Sequence, residues 1–285
     1  MPTLVGTKRE IEFNSNLTDL IEMLKNLSVA KFRELERKTR AFDKLMTSVD
    51  TFFGLIDVEN STHAFLKPRS NKQIVIAVTS DTGLLGGLNS QVLREALAEL
   101  EKIPGKLITI GEQGKIYARD YNIPFISFGG IKDEEKYAQA LQIRDYVVKK
   151  LFDESFGYLK VVYPRPLSFT IQRPETISFL PYLPSGGNTS TGESITDMIM
   201  ESKSDDCAEY LITVWMGEKL HEIFGLSRLA ELAARFTHSE ECSQKLKEIH
   251  SKLTLQYFRL SHELVDRNMR EIASARVVYE SQQGQ

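Results

Sequence analysis

Neither glycine nor proline occurs between Gly6 and Gly54, or again between Gly225 and Gly284, whereas every proline but Pro2 falls between Pro68 and Pro184. These residues are the strongest breakers of regular structure, so two uninterrupted ends flank a punctuated centre. At 1.5 Å per residue the first interval predicts a helix of about 70 Å and the second one of about 85 Å. Helices of that length exceed the three or four turns usual in a globular domain and need a partner along their length.

Each interval carries an apolar seam at heptad spacing. In the first it runs through Leu17, Ile21, Leu24, Ser28, Lys31, Leu35, Lys38, Phe42, Leu45, Val49 and Phe52, and in the second through Leu232, Phe236, Ser239, Ser243, Leu246, His250, Leu253, Tyr257, Leu260 and Leu264. Both seams turn polar in the middle, which makes them candidate partners for each other. Since they lie at opposite ends of the chain, the economical arrangement is an antiparallel coiled coil whose two helices leave and re-enter one central domain. The alternative is two helices folded back on a compact core.

The centre alternates strand and helix signals. Gln73 to Thr79 is a β-branched run of the kind buried on both faces, and a glycine-rich turn, Ser80 to Asn89, follows it. A helical stretch to about Lys102, a strand at Leu107 to Ile110, a short helix around Lys115 to Tyr121 and a strand after Pro124 come next. Asp133 to Glu154 reads as an amphipathic helix, with strands at Leu159 to Tyr163 and Ser168 to Gln172. The order β-α-β-α-β-α-β-β predicts a Rossmann-like α/β domain on a mainly parallel sheet with an antiparallel edge. Ser185 to Gly192 reads as a flexible loop. The expected division is residues 1–60 as the N-terminal coiled-coil helix, 70–192 as the α/β domain, and 193–285 as a C-terminal helical region and coiled-coil helix.

With 36 Lys and Arg against 39 Asp and Glu, the formal charge is −3, so nothing draws the chain to nucleic acid or to an anionic bilayer. The longest apolar run, Ile74 to Val78, is far short of a membrane span, and the N-terminus has no secretory or transit character. Cys207 and Cys242 stand in no metal or redox spacing, which predicts a reducing, cytoplasmic setting.

Few residues suggest chemistry. A strand leading into a helix N-terminus can hold phosphate, yet the glycine-rich turn fits neither G-x-G-x-x-G nor G-x-x-x-x-G-K-[ST]. Asp81-Thr82-Gly83 spells the aspartic-protease tripeptide in a single copy, where that chemistry needs two aspartates sharing a proton. The simpler role for Asp81 is to cap or brace the turn. His238 and Cys242, four apart on a helix, could share a metal only with a third ligand that the neighbourhood lacks. His63, His221 and His262 have no nucleophile at a useful spacing. Lys31, Arg33, Arg37, Lys38 and Arg40, interrupted by Glu34 and Glu36, read as a solvated face with intrahelical ion pairs. No catalytic residue, cofactor or metal is expected.

Several words of the sequence, in order, resemble the gamma subunit of rotary ATP synthases. Ser80-Asp81-Thr82-Gly83-Leu84-Leu85-Gly86-Gly87-Leu88-Asn89 is similar to that family's Ser-Asp-Arg-Gly-Leu-Cys-Gly-Gly-hydrophobic-Asn, departing at Thr82 and Leu85. Met23 to Lys31 resembles the first-helix word Ala-Met-Lys-Met-Val-Ser-Ala-Ala-Lys. Tyr163 to Pro181, with Ser168, Gln172, Thr176 and the closing Phe179-Leu180-Pro181, resembles its strand pair ending in Leu-Leu-Pro. Glu231-Leu232-Ala233-Ala234-Arg235-Phe236 and Leu253-Thr254-Leu255-Gln256-Tyr257 resemble words of its last helix, and Val265 to Ile272 sits where the family has Ile-Thr-Gln-Glu-Leu-x-Glu-Ile.

The resemblance implies a non-catalytic rotor shaft that couples ion translocation through a membrane ring to ATP synthesis or hydrolysis on other subunits. The implied partners are the alpha and beta subunits, the epsilon subunit and the c-ring, with membrane association only through the complex, on the cytoplasmic face of a bacterial-type plasma membrane. Leu24 stands at the family's first-helix methionine, with Lys25 beside it, while Asp19 and Glu22 replace lysines. Arg267 and Asn268 stand where a Gln-Glu pair meets the beta subunit, and Glu271 is kept. Leu24, Lys25, Arg267, Asn268 and Glu271 are thus the implied partner contacts. A reading from another class is a soluble α/β enzyme or ligand binder using the turn at 80–89.

Overall fold

The computed structural model describes residues 3–39, 63–68, 70–154, 156–182 and 204–283. The seam positions Phe42, Leu45, Val49 and Phe52 and the loop at 185–192 lie outside them. In chain order the elements are α1 (Leu4–Thr39), β1 (Gln73–Val78), α2 (Leu88–Lys102), β2 (Gly105–Ile110), α3 (Glu112–Asp120), β3 (Phe125–Phe128), α4 (Lys136–Glu154), β4 (Tyr158–Pro166), β5 (Gln172–Leu180) and α5 (Ser204–Gln283). They gather into two compact units, one of Met1–Leu27 with His238–Gln285 and one of Ser28–Thr237.

In the first unit α1 and α5 run antiparallel. The Asn14 Nδ2 donates to the Leu246 carbonyl at 3.3 Å, and Lys25 reaches Glu240 at 3.0 Å, so partners fall in number on α5 as they rise on α1. Lys247 and Glu22 add an exposed pair at 3.3 Å. The buried positions of α1 repeat every seven residues, at Thr7, Asn14, Ile21, Ser28 and Leu35, which is the burial period of a coiled-coil helix. Three of these lie on the expected seam. The flanking row differs: Lys31 is exposed, while Phe32 and Lys25 turn partly inward, because Phe32 packs with Leu35, Leu229 and Leu232. On α5 the seam holds from Leu232 to Leu260, and Leu264 lies exposed beyond it.

The second unit is built on a five-stranded sheet in the order β3-β2-β1-β4-β5. β1 pairs in parallel with β2 and β4, β2 in parallel with β3, and β4 antiparallel with β5. The parallel sheet with one antiparallel edge is the expected one. Every residue of β1 is buried, as suits a central strand covered on both faces. Ile74, Ile76 and Val78 face α4 (Ala140, Ile143, Val147) and the first half of α5 (Ile212, Met216, Leu220, Phe224). Val75 and Ala77 face α2 (Val92, Leu93, Ala96) and Ala118 of α3. Strand residues alternate between faces, so one strand serves two cores.

Two sequence expectations need correction. Ser168 to Gln172 is the hairpin tip and not a strand: the Ser168 Oγ accepts the Ile171 N–H at 3.1 Å, and the second strand of the pair starts only at Gln172. The last helix starts at Ser204 and runs through both Gly217 and Gly225. At Gly217 a Cβ would sit 2.9 Å from Leu141 Cδ2, the end of a side chain of α4, so the two helices lie close at this glycine.

Candidate functional site

The glycine-rich turn connects the C-terminal end of β1 to α2. Its first residues are tied by side chains. The Ser80 N–H donates to Asn89 Oδ1 at 3.1 Å, Asn89 Nδ2 donates to Ser80 Oγ at 2.9 Å, and Ser80 Oγ donates to the Thr82 carbonyl at 2.6 Å. Asp81 Oδ1 accepts the N–H of Glu112, the first residue of α3, at 3.0 Å. Asp81 therefore braces one turn against the start of another helix, the role expected of it. Gly87 adopts φ 88° at the start of α2, a left-handed conformation that glycine takes without cost.

The far side of the turn is held by α5. Glu231 is 6% exposed, and both its oxygens are engaged: Arg235 Nη2 donates to Oε1 at 2.6 Å and Arg228 Nη1 to Oε2 at 2.5 Å. Each arginine also reaches off the helix. Arg235 Nη2 donates to Thr82 Oγ1 at 2.6 Å, and Arg228 Nε to Asp133 Oδ1, ahead of α4, at 3.1 Å. Burial alone pulls the Arg228 guanidinium down, but Glu231 and Asp133 more than offset it and leave its pKa raised. Leu85 and Leu88 pack below on Ala230 and Ala234. A cavity of about 230 Å³ lies here, with Ser80, Thr82, Asn89, Pro164 and Ser227 among its lining residues. The charged side chains that line it are bonded within the chain, Arg228 and Arg235 to Glu231 and Asp81 to the Glu112 N–H, so the arrangement fastens a loop to a helix.

A second attachment joins the hairpin tip to both long helices. The Phe169 ring stands 4.9 Å from Phe32 of α1, edge-on, and 4.8 Å from Phe236 of α5. Glu231, Arg235 and Phe236 belong to one of the last-helix words already noted in the sequence, but neither the bonds to Thr82 and Asp133 nor the contact with Phe169 follows from it. The spacings Arg228–Glu231 and Glu231–Arg235 were the available signal, and they resemble any surface ion pair until their burial is known.

The other candidates are dispersed. His238 Nε2 and Cys242 Sγ touch at 3.7 Å, and among the described residues no group of three or more His, Cys, Asp or Glu side chains gathers around a common point. His63 pairs with Glu209 at 3.1 Å, His221 stands edge-on to Tyr137, and His262 is exposed. Lys31, Arg33 and Arg37 are exposed on α1. Leu24 and Lys25 are half-buried, Lys25 in its pair with Glu240. Arg267, Asn268 and Glu271 lie far along α5, where all the described side chains from His262 onward are exposed, including Leu264, Val265, Met269 and Ile272. No described helix is long and apolar enough to cross a membrane.

The family model described as ATP synthase matches residues 3–276. Among curated relatives, the ATP synthase gamma chain of Pelotomaculum thermopropionicum is 25% identical over 98% of this chain and 100% of its own. That of Rubrobacter xylanophilus is 25% identical over 96% of this chain and 97% of its own. Among solved structures, a chain of the Euglena gracilis mitochondrial ATP synthase rotor superposes with a TM-score of 0.67 at 16% identity, over 92% of this chain and 98% of that one. A chain from the assembly of the same enzyme described as OSCP/F1/c-ring gives 0.69 at 15%, over 98% and 95%. These superpositions show the shared fold.

Proposed function

Because the chain belongs to the ATP synthase family, we propose that it works as the non-catalytic central-stalk subunit, the shaft between an ion-translocating ring and the subunits that make or hydrolyse ATP. The observation that carries this reading is the end of α5. A helix whose described side chains are all exposed from His262 onward, with Leu264, Val265, Met269 and Ile272 in solvent, needs an apolar surface outside this chain. A ring of alpha and beta subunits around it supplies one.

The partners in this reading are those of its relatives: alpha and beta subunits around the helices, epsilon and the c-ring at the α/β domain. The coiled-coil helices of segments 1–60 and 193–285 serve as the shaft, and 70–192 with the helical region that precedes the last coiled-coil helix serves as the globular head. Leu24 and Lys25 on α1 and Arg267, Asn268 and Glu271 on α5 contact the ring. The exposure of the last three supports this; Lys25 contributes through its pair with Glu240, which fixes its place on the helix pair. An asymmetric shaft presents a different face to each of three otherwise equivalent sites and so biases each toward a conformation of different nucleotide affinity. The driving ion is a proton or sodium, and the complex sits on the cytoplasmic face of a bacterial-type plasma membrane.

The test is co-expression of the full chain with the alpha and beta subunits of its own complex. Recovery of a stoichiometric complex with ATPase activity is expected, and Ile272→Asp is expected to lower its yield. Failure of the unaltered chain to be recovered with alpha and beta would overturn the reading.

A further inference from the structure

The Glu231 network joins α5 to the sheet at two points that are distant in sequence. Thr82 follows β1 and Asp133 precedes α4, 149 and 95 residues from their partners on α5. In the strand order, β1 leads to β2 on one side and has β4 on the other, so the turn at Thr82 lies where the sheet's connections diverge. The main core holds α5 through Ile212, Met216, Leu220 and Phe224; further along the helix, on the side of the turn, the apolar contacts are small, Ala230 and Ala234 against Leu85 and Leu88. Contacts this small are non-directional and add little resistance to rotation of the helix about its axis at this point. Charge-assisted hydrogen bonds are directional, and at 6% exposure of Glu231 they are little screened by salt.

We propose that Glu231 is a positioning residue for torque transfer: with Arg228 and Arg235 it locks the rotational setting of α5 against the sheet at Thr82 and Asp133, so that rotation imposed on the α/β head passes into the helix without slip. This rests on the shaft reading above. Burying a carboxylate and two guanidinium groups costs desolvation that their attraction barely repays, so a triad of this kind is weak as a source of stability. What it supplies is a single angular register.

The experiment uses the assembled ATP synthase, reconstituted in vesicles, and compares ions pumped per ATP hydrolysed. Glu231→Gln keeps the shape and removes the charge. It is expected to leave hydrolysis within twofold of the parent while the pumping ratio falls at least threefold. Thr82→Val, which removes the Arg235 bond to the turn and leaves the triad charged, is expected to fall between the two. The apolar triple variant Arg228→Met, Glu231→Leu, Arg235→Met is expected to assemble and melt like the parent yet pump as poorly as Glu231→Gln, which a purely structural role does not produce. Parent-like pumping ratios in the assembled variants would overturn the proposal. Should Glu231→Gln fail to assemble, Thr82→Val decides: an unchanged ratio overturns the lock. If the unaltered chain itself does not assemble with alpha and beta, the shaft reading fails and not the lock alone.

Discussion

Asp81 Oδ1 accepts the Glu112 N–H at 3.0 Å, so the one carboxylate in the glycine-rich turn is committed to the start of α3. The first N–H groups of a helix have no partner within it, and a side-chain oxygen that takes one stabilises a fold by about 1 kcal/mol. Asp81→Ala is therefore expected to lower the unfolding free energy by roughly 1 kcal/mol, read by urea denaturation. A ligand-binding turn predicts instead an unchanged midpoint and a lost nucleotide affinity, which calorimetry with ATP on the parent and the variant would reveal.

Phe169 ties the hairpin tip to Phe32 and Phe236, with ring centroids 4.9 and 4.8 Å away. Aromatic pairs contribute about 0.5–1.5 kcal/mol each beyond the area they bury. Phe169→Ala is expected to destabilise by roughly 2 kcal/mol, while Phe169→Leu, which keeps the apolar contact, loses less than half of that. Matched melts of the two variants check the order; equal losses would show that the apolar contact kept by leucine contributes nothing.

How far the sequence displayed these features depended on whether their cause was local. The heptad positions Ile21, Ser28 and Leu35 and the α5 seam from Leu232 to Leu260 were visible because burial repeats along one helix. The order of strands and helices was visible because each strand is a short apolar run closed by turn residues. The heptad spacing points to Lys31 and not to Phe32, because the partner of Phe32 is Phe169 on a hairpin far along the chain. The run through Gly217 was hidden for the same reason, since the neighbour of that glycine is Leu141 on α4. Thr82 stood out as a departure from the family word, but only the fold brings Arg235 to it.

Glu99 lies 6% exposed by side chain between Lys102 and Lys160, each lysine Nζ 2.5 Å from a different carboxylate oxygen. Burial raises the pKa of its carboxyl, but hydrogen bonds from the two lysines outweigh that and leave it lowered. A carboxylate with a folded pKa below its unfolded value contributes stability that is present above the unfolded value, near 4.3, and is lost as pH falls through the folded one. Glu99→Gln is expected to flatten the acid side of the stability curve below about pH 4.5, as the parent loses a contribution that the variant never had. Thermal melts between pH 3 and 7 measure it; parallel curves for parent and variant would exclude the linkage.

Ser239 and Ser243 sit one helical turn apart on α5, each 1% exposed, and neither Oγ has a hydrogen-bond partner among the described residues. A buried hydroxyl without a partner has lost its water and gained nothing in exchange, at a cost of about 1–3 kcal/mol. Small side chains at a helix seam nevertheless let a neighbouring backbone come close, so the space matters more than the hydroxyl. Ser239→Ala and Ser243→Ala are accordingly expected to be neutral or to stabilise by up to about 1 kcal/mol, with alanine also the better helix former. Ser243→Leu is expected to cost about 1–3 kcal/mol by overpacking. Chemical denaturation of the three variants separates the two effects: a loss on either alanine substitution would mean that the hydroxyls have bonds in solution, and a tolerated leucine would mean that the helices do not meet closely at this height.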